Sequence, residues 1–168
     1  VNLHNGPDGA LYVVDMHHGI LQHRHYLTPY LRHKYLERQL DEFLMTGRIY
    51  RVVPASAPRT RQRPRLTNAK SPELIEALSH PNAWRETAQR LLVEKNYSGA
   101  TGALKKLAAS GENALGRLHA LWTLEGMRRL DAPTVAAALK DPHPRVRATA
   151  VRVSEFLIHH GRTDEILP

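Results

Sequence analysis

The chain has 168 residues, of which 42% are hydrophobic and 24% are charged, as in one ordinary globular domain or two small ones. No apolar run approaches the roughly 18 residues of a transmembrane helix. Cysteine is absent, which excludes disulfides, thiolate nucleophiles, cysteine-based zinc sites and c-type haem attachment within this stretch. The net charge is +8, yet seven basic residues and no acidic residue fall within 48–70. So local an excess is not the broad basic face of a dedicated nucleic-acid-binding protein.

The chain opens on polar residues, VNLHNGPDG, with neither an initiator methionine nor a signal peptide, so we expect a segment of a longer protein. The tripeptide Pro7-Asp8-Gly9 predicts a tight turn in which the Asp8 side chain bonds to the local backbone. The apolar run at 10–14, which ends at Asp15, and the basic–apolar run at 48–53 predict two strands. Because two strands do not form a stable sheet alone, they are expected to belong to something larger.

A helical insertion packed against the sheet is predicted between these strands, over residues 20–46. Thr28 can cap a helix, and Pro29 suits its first position. Apolar side chains then follow at helical spacing: Leu36, Leu40 and Phe43.

The motifs GPDGALYVVD and GRIYRVVP resemble the last blade of the six-bladed β-propeller of bacterial sugar-dehydrogenase-like proteins. The insertion, with QHR, YLTPYLR and LER, is similar to that of a large family of exported bacterial proteins described as membrane-bound or PQQ-type dehydrogenase-like. Members of this family commonly carry a propeller, then helical repeats, then a c-type cytochrome domain. The resemblance covers residues 1–54, although His17-His18 stands where an aromatic–basic pair is more usual.

This resemblance implies a periplasmic or exported parent protein that oxidises a sugar or related alcohol and passes electrons to a haem domain. Pyrroloquinoline quinone (PQQ), calcium and haem c are the cofactors implied for that parent. Their binding residues would lie on earlier blades or in the later domain, so no catalytic, cofactor or metal residue of this chain is assigned. The implied partners are the preceding blades and the following domain of the same parent chain.

The proline-rich segment at 55–71 predicts a linker, because its prolines disfavour both a helix and a central strand. Its basic run consists of Arg59, Arg61, Arg63 and Arg65. Such a run could contact nucleic acid or anionic lipid, but the aromatic residues that usually interleave a nucleic-acid site are missing. A solvated tether is the favoured interpretation, and nucleic acid is not an expected partner.

From residue 72 onward the hydrophobic period is helical, and a repeat of about 31 residues emerges. Each unit is marked by an arginine followed three residues later by an alanine: Arg85 and Ala88, Arg117 and Ala120, Arg147 and Ala150. The units fall at about 72–96, 98–127 and 131–160, with the start of a fourth at 162–168, and each predicts two helices joined by a turn.

The stretch DPHPRVRATAV resembles the HEAT repeat, in which stacked helical hairpins bury surface only against their neighbours. No polar capping unit closes the array, which again fits a segment of a longer protein. The predicted fold class is α+β and mostly α. It consists of a partial propeller blade with a helical insertion, followed by a right-handed α-solenoid of HEAT-like hairpins.

Histidines within the insertion and just before it are weak candidates for a metal site: His17, His18, His23 and His25. A metal site needs three or four ligands that converge, and no ligand spacing on a predicted helix supports one. Surface and packing roles are favoured, with His23 a buried hydrogen-bonding residue. Asp8 and Asp15 could bind calcium, but roles in the turn and at the strand end are favoured.

Within the repeats, the marker arginines could bind an acidic ligand, although such a residue more often pairs with an acid of the adjacent repeat. Trp84 and Trp122 are expected in the core, and His159-His160 suits a helix C-terminus. No catalytic constellation is present. The sequence therefore predicts a non-catalytic segment that closes a propeller and supplies a repeat scaffold, with a protein partner on the HEAT face. The alternative is an interaction scaffold whose propeller is degenerate and has no enzymatic activity.

Overall fold

The computed structural model describes residues 2–21, 23–42, 45–56, 65–81 and 84–161. Within these ranges the chain is mostly helical, with one three-stranded antiparallel sheet, which confirms the prediction of an α+β, mostly α chain. The chain divides into two compact units, Val1–Thr60 and Arg61–Pro168. The predicted fourth repeat at 162–168 and the linker residues Arg59, Arg61 and Arg63 lie outside the described ranges.

The sheet of the first unit has the order β1-β2-β3, where β1 is Asn2–Asn5, β2 is Leu11–Asp15 and β3 is Arg48–Val52. The central strand pairs with both neighbours, so that Asn5 lies opposite Leu11, and Leu11 lies opposite Val52. Strands β2 and β3 lie within one residue of their predicted bounds. Strand β1 was not predicted, because its sequence NLHN has only one apolar residue and none that is β-branched.

A tight turn connects β1 to β2, as predicted from Pro7-Asp8-Gly9. The Gly6 amide donates to the Ala10 carbonyl at 2.8 Å, and the Ala10 amide donates to Asp8 Oδ1 at 3.2 Å. Gly9 has a φ of 78°, a conformation that glycine adopts at no steric cost. The local backbone role predicted for Asp8 is therefore present.

The insertion contains helix α1, Pro29–Glu37, between two short 3-10 turns at Arg24–Tyr26 and Leu40–Glu42. Thr28 caps α1 by accepting the Leu31 amide at 3.3 Å, as predicted. The helix ends before Leu40, because Gln39 has a φ of 54°, in the left-handed region that interrupts a helix.

Consequently the apolar series predicted for the insertion does not lie on one helix. Leu36 belongs to α1, Leu40 belongs to the second 3-10 turn, and Phe43 lies outside the described residues. No residue of α1 is buried. The packing predicted between the insertion and the sheet therefore buries no residue of α1.

Six helices form the described part of the second unit: α2 (Ser71–Ala77), α3 (Trp84–Lys95), α4 (Thr101–Ser110), α5 (Ala114–Gly126), α6 (Ala132–Ala138) and α7 (Pro144–His159). Consecutive helices pack in pairs, α2 with α3, α4 with α5, and α6 with α7. Helix α5 also contacts both α3 and α7, and α4 contacts α6. We call α3, α5 and α7 the second-helix row.

Local signals set the starts of these helices. Asn113 accepts the Leu115 amide at 2.8 Å before α5, and Asp131 accepts the Thr134 amide at 3.1 Å before α6. A proline lies in the first turn of α2, α6 and α7, where its missing amide hydrogen is not needed.

The core of the second unit lies between the paired helices. Its largest fully buried side chains are mostly leucine and valine, with Leu121 and Leu124 on the central helix α5. The three marker alanines, Ala88, Ala120 and Ala150, are each 0% exposed. Their small side chains lie inside the packed second-helix row, where larger ones would force the helices apart.

The end of the predicted linker belongs to the helical unit. Residues Leu66–Asn68 form a 3-10 turn, Ala69 is buried, and Leu66 packs against the core. Lys95 of α3 also donates to the Thr67 carbonyl at 2.9 Å. The linker prediction is therefore wrong for residues 66–71, because Ala69 is buried and Leu66 is half-buried against the helices. Arg65 is exposed.

Candidate functional site

A concave surface of the helical unit runs along the second-helix row. One depression of about 590 Å³ lies between α3 and α5, and its apolar lining includes Val93, Leu118 and Trp122. A second depression of about 300 Å³ lies between α5 and α7, lined by Trp122, Val153 and Phe156 among others. The half-buried Trp122 belongs to both depressions. We call the combined surface the Trp122 groove.

Charged side chains surround this apolar floor. Arg90 pairs with Glu94 at 2.9 Å along α3, and Arg152 pairs with Glu155 at 2.8 Å along α7, so these charges offset each other. Glu86 and Glu125 also line the first depression. Neither forms an ion pair within the part of the chain that the structure describes.

A hydrogen-bond network centred on His119 lies at the edge of the groove. Arg85 Nε donates to His119 Nε2 at 3.1 Å, and His119 Nδ1 lies 2.6 Å from Gln89 Oε1. These partners assign the proton to Nδ1, because Nε2 must accept from the arginine. Burial, and then the charge of Arg85, lower the pKa of His119, while Glu86 opposes this shift. His119 is therefore a neutral hydrogen-bonding residue near neutral pH.

We expect His119 to make the fold acid-sensitive. Its folded-state pKa lies below the unfolded value, so between the two values the unfolded chain binds more protons. Stability conferred by His119 is thus complete above the unfolded pKa of about 6.5 and falls as the pH drops through the folded-state value. The measurement is the urea midpoint at about pH 7.5 and about pH 5.5 for the native chain and His119→Gln, with a smaller difference expected in the variant. Equal pH dependence in both proteins would contradict this assignment.

The marker arginines share one structural role. In each, Nη1 donates to two carbonyls of the turn that precedes its own helix. The pairs are Arg85 to His80 and Pro81 (2.9 and 2.8 Å), Arg117 to Gly111 and Glu112 (2.6 and 3.3 Å), and Arg147 to Asp141 and Pro142 (2.9 and 3.0 Å). Each guanidinium therefore joins the start of a helix of the second-helix row to the preceding turn. The carbonyls of that turn follow the end of the preceding helix and need hydrogen-bond donors.

Arg117 additionally pairs with Asp141, an acid of the following unit. Its Nε and Nη2 donate to Oδ2 and Oδ1 at 2.7 and 2.9 Å, and the two residues are only 9% and 8% exposed. The hydrogen bond from Arg117 lowers the pKa of Asp141, although burial opposes the shift. This is the inter-repeat pairing expected for a marker arginine, and it occupies the side chain with structural bonds.

The histidines considered as metal ligands do not converge. His17 and His18 line a depression of about 420 Å³ in the first unit, together with Asp15 and Leu40. His23 is exposed at the start of a 3-10 turn, where it accepts the His25 amide at 3.4 Å, so its predicted burial is wrong. The described residues contain no group of three or more possible metal ligands.

The two aspartates considered for calcium have local partners. Asp8 Oδ2 accepts from Arg51 Nε at 2.7 Å and from the Tyr12 hydroxyl at 3.2 Å. The hydrogen bond from Arg51 lowers the pKa of Asp8, against desolvation. Asp15 accepts the His17 amide at 3.0 Å. Sequence reasoning missed Arg51, because it lies on β3 and reaches Asp8 only through the sheet pairing.

The two tryptophans are half-buried, and the terminal histidines lie at the exposed end of α7. Trp122 packs against the core on one side and lines the groove on the other. Trp84 is half-buried and stacks on the His80 ring, with centroids 4.2 Å apart. His160 follows α7 as its C-cap, and its Nδ1 lies 2.6 Å from the Phe156 carbonyl, consistent with the helix-end position expected for it.

Comparison with known proteins gives one match, to part of the chain. Residues 1–56 match a domain of unknown function, DUF7133, and this match covers the strands and the insertion but none of the described helices of the second unit. No curated protein and no solved structure matches the chain significantly. Among the described residues, no helix has both the length and the apolar character needed to cross a membrane.

Proposed function

We propose that this chain is a non-catalytic scaffold. Its sheet docks against neighbouring sheets of a larger propeller, and its helices form a HEAT-like stack whose second-helix row contacts a protein. The observation that carries this proposal is the Trp122 groove, an open apolar surface between packed helices. The marker arginines meanwhile bind the carbonyls of the turns, and Arg117 also binds Asp141 of the following unit. This arrangement suits recognition rather than chemistry.

The exposure of the sheet supports docking of the first unit. Among the described residues of 2–56, only Gly6 and Ala10 are buried. Every residue of β3 is exposed, including Ile49 at 69%. A small sheet with no apolar cover is marginal in water, and neighbouring propeller blades would supply that cover.

The repeated contacts of the second unit support a HEAT-like α-solenoid. The three helical hairpins pack in sequence, and the same arginine-to-turn bonds recur in each. Such a stack exposes a continuous row of helices on which partners bind.

For the parent protein we propose an exported, dehydrogenase-like enzyme that oxidises a sugar or alcohol. PQQ, calcium and haem c would be held outside this chain, and the support is the blade-like motif of the first unit. The alternative is an interaction scaffold with a degenerate propeller and no activity. A Cys-x-x-Cys-His haem motif in the full-length gene would favour the dehydrogenase.

The scaffold proposal is tested by footprinting, which the absence of native cysteine makes simple. Arg90→Cys places a thiol at the rim of the groove, and Lys106→Cys places one at an exposed position on α4. Maleimide labelling rates are measured in the isolated chain and in the full-length protein within extracts of its native host. We expect protection of about fivefold or more at position 90 and none at position 106, as contact excludes solvent. Equal rates at position 90 in both settings would contradict the proposal.

A further inference from the structure

We infer that the partner of the Trp122 groove is a basic peptide segment, one that carries lysine or arginine beside an aromatic or branched apolar anchor. This inference rests on the proposed scaffold function and specifies the chemistry of what the second-helix row binds. The reasons are the shape of the floor, the charge of the rim and the contrast with the rest of the chain.

The floor of the groove calls for an apolar anchor. Val93, Leu118 and Trp122 border the first depression, and Phe156 lies beside Trp122 in the second, where most of the other lining residues are charged or histidine. Gly126 borders the same depression, and a Cβ there would lie 2.9 Å from Val93 Cγ2. A half-buried indole flanked by aliphatic side chains is the kind of surface against which one large apolar side chain packs.

The rim calls for positive charge. Of its six charged side chains, the two arginines are each neutralised by a glutamate on their own helix. Glu86 and Glu125 remain without a cationic partner in the described structure. His119 does not offset them, because its depressed pKa keeps it uncharged near neutral pH. Two carboxylates beside an apolar floor favour a lysine or arginine that can reach them from the anchor.

The rim carries a net negative charge, whereas the chain as a whole carries a net positive charge. With a net charge of +8, the protein attracts acidic molecules non-specifically. A preference for basic peptides would therefore report the local field of the groove rather than bulk electrostatics. This contrast makes the inference testable with unbiased probes.

In the experiment, random peptides displayed on phage are selected for binding to the immobilised full chain. A length of about 12 residues suits a segment that binds in a groove. Basic sequences with one apolar anchor are expected to be enriched. A synthetic peptide of that consensus is then titrated by fluorescence polarisation. Glu86→Gln with Glu125→Gln should weaken its binding by about tenfold, because rim carboxylates select charge. The matched pair Glu76→Gln with Glu112→Gln removes the same charge at exposed positions away from the groove and should change little.

Other results would overturn the inference. Enrichment of acidic peptides, or equal weakening by both pairs of substitutions, would show that the groove does not select positive charge. A third outcome is the selection of neutral peptides whose binding is blocked by a bulky maleimide on Arg90→Cys but not on Lys106→Cys. This outcome would support the scaffold proposal and refute the basic partner. If no selected peptide is blocked by the label at position 90, both the basic partner and the protein-binding groove are wrong.

Discussion

Replacing Arg117 by alanine is expected to lower the free energy of unfolding of the helical unit by about 3–5 kcal/mol. The substitution leaves the Asp141 carboxylate buried without its cation, and it removes the Nη1 donor that bonds to the carbonyls of Gly111 and Glu112. A buried charge without a partner is among the most destabilising changes a fold can suffer. Urea unfolding monitored by far-UV circular dichroism measures the loss.

Arg145→Ala is the matched control, since Arg145 is an exposed arginine of α7. Its effect should stay within about 0.5 kcal/mol, as for most surface substitutions. The combined variant Arg117→Leu with Asp141→Leu should recover much of the loss, because it removes both buried charges together. If Arg117→Ala costs no more than Arg145→Ala, the ion pair does not stabilise the junction between the two repeats.

The Arg117–Asp141 pair is also expected to make the stability of the fold depend on pH in the acidic range. The folded-state pKa of Asp141 is lowered, first by its hydrogen bond from Arg117. Its contribution to stability is therefore complete above the unfolded pKa of about 3.9 and is lost as the pH falls through the folded-state value. We expect Arg117→Ala to flatten this acid limb of the stability curve. An unchanged acid limb would contradict the assignment.

Truncating Leu121 to alanine is expected to lower the free energy of unfolding by about 2–5 kcal/mol. Leu121 is 0% exposed on α5, the helix that contacts α3, α4 and α7. The loss combines the lost transfer of apolar surface from water with a cavity that these neighbours fill only in part. Because one helix joins all three hairpins, the whole unit should unfold at lower urea in a single transition.

Leu115→Ala provides the control on the same helix, where the side chain is 37% exposed. The same chemical change there should cost less than about 1 kcal/mol, because less surface is buried and the cavity opens to solvent. Similar losses at the two positions would contradict the placement of the core at α5.

Local signals made much of the fold predictable. The Pro7-Asp8-Gly9 turn and the Thr28 cap depend on residues close in sequence, and the structure places each where it was expected. The marker alanines were identified by period alone, and all of them are buried. Period and capping residues carry this information because they act within one or two turns of a helix.

What the sequence did not reveal depends on distant contacts. Strand β1 is recognisable only through its pairing with β2, and Arg51 meets Asp8 only across the sheet. The Trp122 groove likewise arises where three separate helices meet, so neither Glu86 nor Glu125 stands out in the sequence. Both residues lie on second helices, and their proximity to Trp122 becomes evident only once the packing of these helices is known.

The non-catalytic scaffold is tested most directly by dye-linked oxidation of sugars and alcohols, with and without PQQ and calcium. The samples are the full-length gene product, the same protein carrying Glu86→Gln and Glu125→Gln, and the isolated 168-residue chain. We predict cofactor-dependent turnover by the full-length protein, the same turnover by the groove variant, and none by the isolated chain. Turnover by the isolated chain would contradict the account, because it would show that this chain is itself catalytic. A lower kcat in a groove variant that still folds would also contradict it, because it would show that Glu86 or Glu125 takes part in catalysis.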